Sequence, residues 1–138
     1  MGETEDKTST LIQSIGRGMA DSVPPGWARL ELRVSGAGGM TDSRLTVVAS
    51  DTTEDRTPTL VKQARRAVAT LRKTMFQPGN GTWYNATFII TPEGNLEAEY
   101  DYDTRPFDGF AHDDLLKDDQ RMWPRSPGNL PDWHPARA

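Results

Sequence analysis

Apolar positions recur along this chain at two spacings, one helical and one of period two. Their order predicts helix, hairpin, helix, hairpin and a short last helix. From Thr8 onward, Leu11, Ile12, Ile15 and Met19 follow the helical repeat and predict a helix over about 9–22, capped by Thr8 or Ser9. Gly16 and Gly18 lower its intrinsic propensity, so tertiary contacts must hold it. Val23-Pro24-Pro25-Gly26 ends it. Trp27 to Val34 then alternates, with Ala28, Leu30, Leu32 and Val34 on one side and Arg29, Glu31 and Arg33 on the other, as a half-buried strand does. A flexible glycine-rich loop, Ser35 to Asp42, leads to a second strand over Arg44 to Ser50, its hairpin partner.

Asp51 to Arg56 reads as a polar loop. Thr57-Pro58 reads as the start of a second helix, a capping hydroxyl followed by proline at a position that needs no amide donor. Leu60, Ala64, Ala67, Val68, Leu71 and Met75 form its apolar stripe, and Pro78-Gly79-Asn80-Gly81 stops it, giving a helix over about 58–76. The most closely specified element is the hairpin from Trp83 to Asp103. Thr91-Pro92-Glu93-Gly94-Asn95 suits a type I turn with Gly94 left-handed. That turn sets Ile90 against Leu96, Phe88 against Ala98, Ala86 against Tyr100 and Tyr84 against Tyr102 on the core face. The other face pairs Ile89 with Glu97, Thr87 with Glu99, Asn85 with Asp101 and Trp83 with Asp103. A one-residue slip would drive the acids into the core, so the register is well determined.

Asp113 to Trp123 predicts a short helix with Leu115, Leu116, Met122 and Trp123 inward, and the proline-rich tail from Pro124 reads as extended. The chain is thus expected to be one α+β domain: residues 1–7 frayed, a helix–hairpin–helix–hairpin core over 8–106, and a C-terminal helix and tail over 107–138. Its sheet is four-stranded and mostly antiparallel. Two helices cover one face, and the other face of the second hairpin is at least partly open.

Composition narrows the function. The 138 residues suffice for one ordinary domain with a real core and include no cysteine, which excludes disulfides and thiolate metal sites. No apolar run approaches the roughly 20 residues of a membrane helix, and the first residues lack a signal-peptide pattern, so a cytoplasmic, membrane-free protein is expected. The net charge of −4 conceals an asymmetry. Between Glu93 and Asp119 lie ten acids and two bases, whereas Arg56 to Lys73 holds six bases and no acid. An acidic balance disfavours nucleic acid as the main partner, and a concentrated acidic half favours a basic one.

The run Trp83-Tyr84-Asn85-Ala86-Thr87-Phe88, then Gly94-Asn95-Leu96, then Tyr100-Asp101-Tyr102-Asp103 resembles the YezG/EsaG family of bacterial immunity proteins, as does the Pro25-Gly26-Trp27 junction after the first helix. The likeness covers most of residues 10–105. Residues 107–138 depart from the plain family ending, although Met122-Trp123-Pro124-Arg125 and Leu130-Pro131-Asp132-Trp133 are similar to tails of actinobacterial immunity proteins. The resemblance implies an α+β fold, no cofactor, and a cognate secreted toxin domain, often a nuclease, as partner; no Gly-x-Ser-x-Gly elbow or cysteine supports a catalytic nucleophile, so no enzyme is expected.

The candidate partner-binding set is Trp83, Asn85, Thr87, Glu97, Glu99, Asp101 and Asp103 on the outer hairpin face, with Asp108 just beyond. Acids in a row repel at a small cost that binding a basic partner would recover, and an aromatic among them is what a binding hot spot needs. The plainer reading is a solvated sheet face, with Trp83 covered by the C-terminal segment. Lys62, Arg65, Arg66, Arg72 and Lys73 suggest a nucleic-acid-binding regulator, but such a run is more often the wet side of a helix. His112 beside Asp113 and Asp114 leaves a small enzyme as an alternative, while two histidines without fixed spacing give little support to a metal site. Homo-oligomers stay open.

Overall fold

A computed structural model describes residues 3–49, 53–56 and 58–137. Its elements are α1 (Glu3–Asp21), β1 (Trp27–Ala37), β2 (Met40–Ala49), β3 (Thr53–Arg56), α2 (Lys62–Thr74), β4 (Asn85–Ile90), β5 (Leu96–Asp101) and α3 (Asp113–Met122). The four long strands form the antiparallel sheet that the alternating segments predict, in the order β2-β1-β4-β5, and the short β3 extends it beyond β2. The fold is α+β, as expected.

Several boundaries differ from the sequence reading. The first helix begins at Glu3, well before Thr8, and Glu5 and Asp6 suit its N-terminal end. The glycine-rich loop contracts to the two-residue turn Gly38-Gly39, because β1 and β2 pair as far as Ala37 with Met40. Two glycines suit such a tight hairpin. Part of the polar loop is β3, since edge pairing uses backbone groups and needs no apolar alternation. The second helix starts at Lys62, with Val61 at the cap position and no side-chain cap. Thr57 lies outside the described residues. Leu60, although not helical, is still buried.

Helices α1 and α2 cover one sheet face. Their apolar residues Ile15, Met19, Ala64, Val68 and Leu71 meet Leu30, Leu32, Val34, Leu45, Phe88 and Ile90 from the strands. Gly18 permits the close crossing of the two helices, since a Cβ there would stand 2.4 Å from that of Ala64. Ser22 ties their ends: its hydroxyl donates to the Gly18 carbonyl and accepts from the Val61 amide at 2.9 Å. A second, smaller cluster of Ala37, Tyr84, Ala111 and Leu116 holds α3 at the turn end of β1. Of the four residues expected inward on the last helix, Leu116 is fully buried, Leu115 and Trp123 are half-buried, and Met122 is exposed.

Candidate functional site

The outer face of the sheet, away from α1 and α2, is built by strict alternation. Across β5, β4, β1 and β2 its rows read Glu97-Ile89-Glu31-Thr46, Glu99-Thr87-Arg33-Arg44 and Asp101-Asn85-Ser35-Asp42. The predicted hairpin register holds at all six pairs from Asn85–Asp101 to Ile90–Leu96, and Gly94 is left-handed at φ 91°. The face is therefore not acidic throughout. Acids line the β5 edge, and Arg33 and Arg44 stand on the inner strands, with Arg33 bonded to Glu31 at 3.0 Å.

The eight candidate residues divide. Glu97 and Glu99 are exposed, with Thr87 half-buried beside Glu99. Among the described residues, neither glutamate forms a salt bridge. Asn85 is a bracket: its carbonyl accepts from the Ser35 hydroxyl at 2.8 Å, and its amide donates to the Thr104 carbonyl at 2.9 Å. Asp101 also holds the chain's own turn, accepting the amides of Asp103 and Thr104 at 2.9 and 3.0 Å. Partial burial pushes its carboxyl up, but the Thr104 hydroxyl and these amides outweigh that and hold it below the usual carboxylate range. Asp103 is exposed, and its backbone carbonyl accepts the Trp133 indole N–H at 2.7 Å. Asp108 lies off the strands, beside Arg33, Ser35, Asp42, Arg44 and Phe107.

Trp83 corrects the sequence reading outright. It is fully buried in the main core, and it lies before β4 rather than on its outer face. The Tyr84 amide donates to the Asp101 carbonyl, so Tyr84 and Asn85 both oppose Asp101, as in a bulge, and the alternation inverts there. Trp83 turns inward, its indole N–H meeting Met75 Sδ at 3.3 Å with the Arg72 guanidinium 5.8 Å from the ring centre. Tyr84 turns to the other side, into the α3 cluster. An exposed aromatic does exist, but it is Phe110, 82% exposed after the left-handed run Phe107, Asp108 and Gly109. Sequence reasoning missed it. The only signal is an aromatic between Asp-Gly and Ala-His in a segment without periodicity.

The tail is also not a free extension. Arg125 is buried, donating to the carbonyls of Tyr102 at 2.8 Å and Thr82 at 2.9 Å, with its guanidinium 4.2 Å from the Tyr84 ring centre. Burial pushes the Tyr84 phenol up to about 12 against the opposing pull of Arg125. His134 is buried too. Its Nδ1 accepts the Ala136 amide at 3.0 Å, while Nε2 has no hydrogen-bond partner among the described residues. Burial lowers its pKa from 6.5; Asp119 and the Leu116 carbonyl oppose this, and Arg125 and Arg105 add to it. The fold thus favours the neutral ring. As pH falls through about 6.5 the unfolded chain takes up a proton that the fold resists, so stability declines below that point until the folded pKa is reached. We expect the thermal midpoint to fall between about pH 7.5 and about pH 5.5, and His134→Gln to flatten that slope.

The basic stripe loses one member. Arg72 is buried, 2.7 Å from Asp119, which leaves Lys62, Arg65, Arg66 and Lys73 exposed on α2. His112 is exposed at the start of α3, and His134 is buried under the tail. Among the described residues, no three His, Cys, Asp or Glu side chains group as a metal site. None of the described helices is long and apolar enough to cross a membrane. No family model matches the chain, and no curated protein matches it at a meaningful level.

Proposed function

We propose that the chain is an immunity protein: it binds a basic, secreted toxin domain, of the nuclease type, in the cytoplasm of the producing cell and neutralises it stoichiometrically, without catalysis. The observation that carries this reading is the exposed row of Glu97 and Glu99 along a sheet edge, neither of which forms a salt bridge among the described residues. Such a row costs a little self-repulsion, which a cationic partner removes. The resemblance of residues 10–105 to immunity proteins supports the same reading. Phe110 replaces Trp83 as the aromatic available to an interface.

The test uses the reading frame next to this one. Its C-terminal domain, expressed alone in the cytoplasm, should arrest growth, and co-expression of this chain should restore it. Rescue should weaken for the double variant Glu97→Lys/Glu99→Lys. Reversing Asp101 is a poorer probe, because that carboxylate holds the turn after β5. A toxic domain whose effect this chain does not relieve would sink the proposal.

A further inference from the structure

We infer that the partner is taken by strand addition: an extended segment alternating basic and apolar residues pairs with the free edge of β5. The inference rests on the proposed function and specifies how its surface is used.

β5 is the last strand of the sheet on its side. The Thr91 amide donates to the Asn95 carbonyl at 3.1 Å, which makes these two a hydrogen-bonded pair at the head of the ladder. Alternation along an antiparallel pair then directs the backbone groups of Glu97, Glu99 and Asp101 toward β4. Those of Leu96, Ala98 and Tyr100 point away from the sheet. This edge carries no proline and no lysine, and the charges that guard it against pairing are negative. The core-facing side chains Leu96, Ala98 and Tyr100 remain half-exposed, as expected where no strand among the described residues lies beyond the edge.

A second, independent feature lies on the core side of the same edge. A groove of about 610 Å³ runs between α1, the end of α2 and β5, with Ile12, Met75, Phe76 and Leu96 among its lining residues. A strand added to β5 would place alternate side chains on the two sides of the sheet. On the open side they meet Glu97 and Glu99, which favour lysine or arginine. On the core side they meet the groove, which favours apolar residues. A second copy of this chain fits poorly, because its own β5 would set carboxylates beside carboxylates.

The probe is a capped ten-residue peptide alternating lysine with valine or phenylalanine, compared with a peptide of the same composition with its lysines in one block. Binding is read by amide hydrogen exchange and chemical shifts of the labelled full chain. The alternating peptide should slow exchange at Leu96, Ala98 and Tyr100 about tenfold or more, and shift Ile12 and Met75; the blocked peptide should do neither. Ala98→Pro removes one outward donor while sparing the β4 ladder, and should cut affinity about tenfold. Should that variant fail to fold, Glu97→Lys/Glu99→Lys keeps the question open to test, because it should switch preference to a peptide alternating glutamate with valine. Equal binding of both lysine peptides, protection elsewhere on the sheet, or β5 protection that grows with protein concentration and no peptide would overturn the inference. None of those results would touch the growth-rescue test, which reads the proposed function separately.

Discussion

Asp119→Ala should destabilise the fold by about 3–5 kcal/mol, the usual cost of leaving one partner of a buried ion pair uncompensated. Arg72 and Asp119 are almost fully buried side by side, joining α2 to α3. Asp119 Oδ1 also accepts the Gly38 amide at 2.8 Å, and Arg72 Nε donates to the Trp83 carbonyl at 2.8 Å. Removing the carboxylate strands a guanidinium and an amide in the interior together. Replacing both partners, Arg72→Met with Asp119→Leu, removes the stranded charge and should cost less than the single change. Urea unfolding at neutral pH reads all three proteins. A loss below about 1 kcal/mol for Asp119→Ala would mean that the pair does not hold α3 in place.

Trp83→Ala should cost a similar amount, about 3–5 kcal/mol, through the cavity it leaves in the core. The contrast with the surface acids matters more than the figure. Glu97→Lys/Glu99→Lys should stay within about 0.5 kcal/mol of the parent while changing partner recognition. Trp83→Ala should change recognition only as far as it unfolds the chain. A folded, stable Trp83→Ala protein with selectively lost binding would restore Trp83 to the interface and contradict its burial.

These two residues also show where sequence reading stops. The β4–β5 register was legible because turn chemistry at Gly94 and the parity of Phe88, Ile90, Ala98 and Tyr100 both act over short range and agree. Parity alone puts Trp83 on the outer face, but the bulge at Tyr84 breaks that parity and turns it inward. The bulge comes with contacts to Met75 and Arg72 on α2 that no local pattern announces. Arg72 itself looked like one more base on a wet helix face, since its partner Asp119 lies 47 residues on. The tail read as extended because Arg125, Trp133 and His134 are held by carbonyls and rings, which leave no periodic trace. Of the candidate face, Glu97 and Glu99 are legible from alternation alone. That Asn85 and Asp101 serve the chain's own turns, and that Phe110 is the exposed aromatic, emerged only with the folded loop.

The most direct test of the account is the association rate of the purified chain with the C-terminal domain of the neighbouring reading frame, the toxin proposed above, measured by stopped flow across ionic strength. The account predicts one-to-one binding that slows steeply with salt, and a rate about tenfold or more lower at low salt for Glu97→Lys/Glu99→Lys. No binding, or equal rates for the parent and the reversed variant at low salt, would contradict it.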